Sequence, residues 1–109
     1  MSDDALPTKL LVDAVLANIR TRGGFYYIPH TGDHSRGLIL LKLNGLGKGC
    51  KLLTQQRDFD GNLNWVNALD GDIVDEPAAD AYIKRSITRD PDMWVIEIED
   101  TAMINPFDV

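Results

Sequence analysis

The chain has 109 residues, with 44% hydrophobic and 26% charged residues and a formal net charge of −6 at pH 7. This composition is typical of one folded domain, so we expect residues 1–109 to form a single domain with loosely ordered tails at 1–6 and 101–109. The acidic balance argues against nucleic-acid binding, and no apolar run is long enough to span a membrane.

The first half of the chain predicts one helix and two strands. Residues 8–22 carry apolar side chains at helical spacing and are followed by a glycine pair, which predicts a helix and its end. Phe25–Ile28 is a short aromatic strand that Pro29 is expected to end. Gly37–Leu43 is apolar on both faces, which predicts a central strand.

The second half predicts a hairpin, a helix and a last strand. Cys50–Gln56 and Leu63–Leu69 are joined by an Asp-Gly turn, the usual signal of a hairpin. A helix follows Asp75, which is a preferred capping residue, and it ends before Pro91. The last strand runs from Met93 to Glu99.

Alternation along the last strand separates an apolar face from an acidic face. We expect the side with Trp94, Ile96 and Ile98 to be dry. The other side, with Glu97 and Glu99, is expected to be at least partly wet.

The element order, helix, four strands, helix and strand, predicts an α+β fold. We expect a largely antiparallel five-stranded sheet with the two helices packed on one face, and the last strand could pair parallel with a neighbour. An apolar face left uncovered would become an interface, so the pattern also predicts a homodimer.

A loop after the first strand carries His30, Asp33 and His34, which could surround zinc or another divalent ion. Glu97 or Glu99 could join them from the last strand. The spacing is not diagnostic, and exposed loop histidines are the common alternative.

Two further motifs resemble chemical sites but lie in the wrong context. Asp58–Asn62 resembles the nucleophile motif of haloacid-dehalogenase-type phosphatases, and Gly45–Cys50 resembles a phosphate loop. Each is predicted to connect two strands, without the helix N-terminus that a phosphate loop needs. We therefore expect no cofactor.

Aromatic and acidic side chains offer candidates for protein contacts. Tryptophan is either core or an interface anchor, and an acidic row on a strand could receive a basic partner peptide. The candidate binding residues are Trp65, Arg85, Asp92, Trp94, Glu97 and Glu99.

Several of these residues also resemble the motifs of a known protein family. The matching positions are Asp90-Pro91-Asp92, Trp94, Glu97, Glu99 and Asp100 at the end of the chain, with Gly32-Asp33, Gly37, Lys42, Trp65, Glu76, Asp80, Tyr82, Ile83 and Arg85 before them. The chain is similar here to a family of short alphaproteobacterial proteins catalogued as domain of unknown function 1491. The resemblance implies a compact bacterial cytoplasmic domain and no catalytic activity.

The functional prediction is a small non-enzymatic binding or regulatory module that contacts itself, as a homodimer, and an unknown protein. Its location is expected to be cytoplasmic, because the one cysteine, Cys50, cannot form an intrachain disulfide and the chain opens without a signal-like segment. The alternative is a small metal-dependent enzyme or metal-binding protein that uses the His30, Asp33 and His34 loop.

Overall fold

The structure, a computed structural model, describes residues 6–108. Its elements are α1 (Thr8–Thr21), β1 (Phe25–His30), β2 (Ile39–Asn44), β3 (Cys50–Arg57), β4 (Leu63–Asn67), α2 (Glu76–Arg89) and β5 (Trp94–Glu99). They confirm the predicted α+β class, the element order and a mostly antiparallel five-stranded sheet. Within the described residues, no helix has the length and apolar character needed to cross a membrane.

The strand order in the sheet is β1-β5-β2-β3-β4. The last strand, β5, lies between β1 and β2, where it runs parallel to β2 and antiparallel to β1. The helix α2 makes the crossover from β4 back to this central position, as a parallel connection requires. The sheet is therefore mixed, and β1 and β4 are its two edges.

The helices pack on opposite faces of the sheet, so the prediction that both cover one face is wrong. Ile39 and Leu41 of β2 belong to the core cluster beneath α1. Leu40 lies with Val95 in a second cluster beneath α2. Because the central strands are apolar on both faces, each face must be covered. The uncovered central face from which the homodimer was inferred is therefore absent from residues 6–108.

Trp94 anchors the core cluster beneath α1. Its side is dry, as predicted, with only 2% of the residue exposed. The indole Nε1 donates to the backbone oxygen of Asp33 at 2.7 Å. The segment after β5 lies against the same cluster through Met103 and Phe107, and the Phe107 ring lies 5.7 Å from the ring of Trp65.

Two glycines let the loop before β2 approach the start of β5. A Cβ at Gly32 or Gly37 would lie 2.2 or 2.3 Å from the backbone oxygen of Asp92. Real Cβ atoms do not come this close to a backbone oxygen, so only glycine fits at either position.

The edge strand β1 continues to His30, two residues beyond the predicted end before Pro29. Proline is tolerated in edge strands because no second neighbour needs its missing N–H group. The pairing with β5 is irregular between Tyr27 and His30. Regular pairing is therefore confined to the first part of β1.

Candidate functional site

The loop predicted to bind metal makes structural contacts instead. His30 Nδ1 is 2.8 Å from the backbone oxygen of Met93, and the Asp33 carboxylate accepts two backbone N–H groups of its own loop at 3.1 and 2.7 Å. The ring of His34 lies 6.0 Å from the ring of Trp94. Across residues 6–108, no three His, Cys, Asp or Glu side chains are grouped so as to hold a metal ion. The metal alternative therefore gains no support.

Of the six residues predicted to contact a partner, the structure brings two together, Glu97 and Glu99. They lie on the α2 side of β5, with Glu97 half-buried and Glu99 exposed. The other four are dispersed: Trp94 in the core, Trp65 against Phe107, Arg85 over the Tyr82 ring, and Asp92 at the exposed corner before β5.

Glu97 belongs to an ion cluster around Lys42, which is only 3% exposed. The Lys42 Nζ atom lies 2.7 Å from Glu76, 2.7 Å from Asp80 and 3.4 Å from Glu97. Asn44 Nδ2 also donates to Glu97 at 3.1 Å. The cluster joins β2 and β5 to the first two turns of α2, and it holds the carboxylate of Glu97 in place.

The charge balance of this cluster is negative. Burial alone would lower the pKa of Lys42, but hydrogen bonds to Asp80 and Glu76, and the charge of Glu97, outweigh burial and raise it. Lys42 therefore stays an ammonium group at neutral pH. One positive charge faces three carboxylates, two of which are about half exposed. The surface around the cluster is thus acidic.

Lys42 is not among the residues that the sequence predicts to form a site, although the sequence carries a signal for it. Lys42 lies between Leu41 and Leu43 in a strand that is otherwise apolar. A charge in such a strand is costly to bury unless acidic partners accompany it. The sequence could not show that the partners come from α2 and β5.

Next to the cluster, β1 presents two exposed aromatic side chains. Phe25 is 71% exposed and Tyr27 is 61% exposed. Phe25 is paired with Glu99 and Tyr27 with Glu97, so the four side chains share one face of the sheet. We call these four residues the edge surface.

A small open cavity of about 270 Å³ lies in the edge surface and is lined by its four residues and Tyr26. The core cluster beneath α2 contains no residue of β1, so this helix leaves the edge surface open. On the opposite face, Tyr26 and Ile28 pack against the core beneath α1. Aromatic rings and carboxylates thus line one small open cavity.

A larger groove of about 750 Å³ runs between α1 and the C-terminal segment. Its charged lining residues are Arg22 and three acids, Glu99, Asp100 and Asp108. Asn105 lies at its wall, and its buried Nδ2 has no hydrogen-bond partner in the described part of the chain. The groove extends to Asp108, the last described residue, and its charged lining residues make no ion pair with one another within residues 6–108, so we place no site there.

Comparisons with known proteins agree with this fold. The chain is similar to a crystal structure of a DUF1491 family protein from Caulobacter crescentus, with 30% identity, a TM-score of 0.80 and 94% of each chain covered. It is also similar to an NMR structure of a DUF1491 family protein from that organism, with 30% identity, a TM-score of 0.81, and 94% of this chain and 92% of the other covered.

A solution structure from A. tumefaciens shares the fold, with 21% identity, a TM-score of 0.71, and 88% of this chain and 86% of the other covered. No curated protein matches the chain. The match over residues 6–108 shows that the chain belongs to the family described as protein of unknown function DUF1491.

Proposed function

We propose that the protein is a binding module that acts through protein contacts, and that the edge surface is its contact site. The observation that carries the proposal is that β1 is an edge strand with two neighbouring, largely exposed aromatic side chains, Phe25 and Tyr27. The part of β1 before Pro29, Phe25–Ile28, offers the unpaired N–H and C=O groups of an edge strand, and many binding domains accept an extended partner segment at such an edge as an additional strand.

The other edge strand, β4, is less suited to this role. Its Trp65 ring is already packed against Phe107. Its Asn64 and Asn67 side chains donate to aspartates of the neighbouring turns, at 3.1 and 2.9 Å. The aromatic side chains of β1 have more free surface to bury, which favours β1 as the contact edge.

The side chains that could carry chemistry are engaged in the fold, which favours binding over catalysis. Cys50 is 1% exposed, and burial raises the pKa of its thiol, so the reactive thiolate is disfavoured. His30 is hydrogen-bonded to backbone. We place the protein in the cytoplasm, because its one cysteine, Cys50, cannot form an intrachain disulfide of the kind common in oxidising compartments.

Self-association is less favoured at the edge surface than binding of a different protein. Pairing two β1 strands antiparallel about a twofold axis would bring Glu97 and Glu99 of each copy onto the same face of one continuous sheet. The two β1 strands would separate these carboxylates by roughly 14 Å, so their repulsion is modest, but the edge surface holds no basic side chain that would offset it. A homodimer through another surface stays a prediction, which light scattering at tens of micromolar protein tests.

The experiment begins with selection of extended peptides from a display library on the intact protein. We expect selected peptides to shift the amide signals of β1 and β5, and the Phe25→Ser and Tyr27→Ser variants to bind them more weakly. Phe59→Ser is the matched control, because Phe59 is fully exposed at the tip of the β3–β4 hairpin. Peptides that shift only other surfaces, or that bind the β1 variants unchanged, would overturn the proposal.

A further inference from the structure

We propose that the edge surface selects a basic partner segment, and that its cavity takes the cationic head of a lysine or arginine side chain. This inference rests on the proposed function, because it names the chemistry of the segment that β1 would accept. The carrying observation is a cavity of about 270 Å³ lined by two aromatic residues, Phe25 and Tyr27, and two acidic residues, Glu97 and Glu99.

The aromatic walls favour a cation over a purely apolar group. The face of a tyrosine or phenylalanine ring attracts an ammonium or guanidinium group, by about 0.5–1 kcal/mol at exposed sites. Phe25 and Tyr27 are neighbours on one face of β1, so a side chain that enters between them meets more than one ring. The apolar stem of lysine or arginine would cover ring surface while its head reaches the carboxylates.

The two carboxylates of the edge surface differ in their contacts, and this difference favours binding of a cation. Glu97 is fixed by Asn44 at 3.1 Å and by Lys42 at 3.4 Å, so its position is set before a partner arrives. Glu99 is exposed and has no ion pair within residues 6–108. A cation in the cavity would therefore gain a free carboxylate without breaking an existing pair.

The negative charge around the edge surface also favours a basic partner segment. Lys42 offsets only one of its three carboxylate neighbours, so Glu76 and Asp80 extend the acidic region beyond the cavity. The net charge of the whole chain, −6, would also draw a basic segment toward the protein. An acidic segment would meet repulsion at each of these groups.

Strand geometry adds a spacing rule for the partner. In an added strand, alternate side chains point to the same face, with about 7 Å between residues i and i+2. Cations at two alternate positions would then lie over Tyr27 with Glu97 and over Phe25 with Glu99. The preferred segment therefore has lysine or arginine at every second position, with strand-forming residues between them.

The test uses three blocked, fluorescently labelled nine-residue peptides in which valine alternates with lysine, glutamine or glutamate. The intact protein is titrated into each peptide, and binding is measured by fluorescence anisotropy. We expect the lysine peptide to bind about tenfold more tightly than the glutamine peptide, and the difference to shrink as salt rises. A fourth peptide with the same lysines in one block should bind more weakly than the alternating one.

Two variants locate the effect. Glu99→Gln should weaken binding of the lysine peptide several-fold and leave binding of the glutamine peptide unchanged. Tyr27→Leu keeps apolar surface but removes the ring face, so it should also weaken binding of the lysine peptide. Asp60→Asn is the matched control, because Asp60 is an exposed acid at the tip of the β3–β4 hairpin.

The outcomes separate the two proposals. Equal binding of all three alternating peptides with amide shifts in β1 would overturn the cation site and leave the strand-addition site standing. Lysine-selective binding that Glu99→Gln and Tyr27→Leu do not change would place the cation elsewhere and overturn the inference. Absence of binding by every peptide at millimolar concentration would overturn the cation site, and the library selection then decides on the edge surface itself.

Discussion

Replacing Lys42 with methionine removes the one positive charge from the ion cluster beneath α2 while it keeps an unbranched side chain of similar length. The apolar stem still fills the space between β2 and α2. The change leaves Glu97, whose side chain is 18% exposed, without its ammonium partner. It also leaves Glu76 and Asp80, at 50% and 57% exposure, without their ammonium partner, although Asn44 Nδ2 still donates to Glu76 at 3.3 Å.

The expected cost follows from these exposures. Each half-exposed pair contributes about 0.2–1 kcal/mol, as surface ion pairs do. The half-buried Glu97 loses a charged partner, which costs about 1–3 kcal/mol. We therefore expect Lys42→Met to lower the free energy of unfolding by about 1–5 kcal/mol.

Urea unfolding followed by tryptophan fluorescence measures this loss as a lower midpoint with an unchanged slope. Adding Glu97→Gln to the variant removes the unpaired charge and should restore about half of the loss. Lys9→Met is the matched control, because Lys9 pairs with Asp13 at 2.7 Å on the exposed face of α1, and it should cost less than about 0.5 kcal/mol.

The pH dependence has a definite sign. Because the folded pKa of Lys42 is raised above its ordinary value of 10.5, its contribution is complete below that value and is lost only as pH rises through the folded pKa. The Lys42 contribution to the difference between wild type and variant should therefore stay constant from neutral pH to about pH 9. A Lys42→Met variant as stable as the wild type at neutral pH would refute the view that the ion cluster holds α2 on the sheet.

Three further predictions concern the loops and the thiol. In Gly37→Ala the new Cβ would lie 2.3 Å from a backbone oxygen, so the variant should lose about 2–4 kcal/mol of unfolding free energy in urea. In Gly47→Ala the new Cβ meets no atom within 4 Å, so only the φ of 99° disfavours it and the loss should be about 1–2 kcal/mol. Equal losses in the two variants would contradict this account. The buried Cys50 thiol should react with a disulfide reagent about 100-fold more slowly in native protein than in denaturant, and rapid native labelling would show that the site opens. The pKa of Asp58 is lowered by hydrogen bonds, first from the Asn62 backbone, so its contribution to stability is present above 3.8 and is lost as pH falls through the lower folded value; an NMR titration midpoint at or above 3.8 would contradict this.

Local signals in the sequence determined the elements and their order. The alternation of β5 placed Trp94 inside, and the structure agrees, with 2% of the residue exposed. Asp75 caps α2 as predicted, with its carboxylate accepting the backbone N–H of Ala78 at 2.9 Å. These features are readable because caps, turns and strand faces depend on residues only a few positions apart.

Only the tertiary structure decided which face each helix covers, where β5 enters the sheet, and which acids meet Lys42. The apolar character of β2 on its two faces was visible, but it could not say that α1 and α2 would divide those faces between them. Strand order and ion partners depend on chain segments tens of residues apart, such as Lys42 and Glu97, and no local pattern encodes such a pairing. The open edge surface follows from this long-range arrangement, since β5 takes the place beside β2 and leaves β1 at the edge.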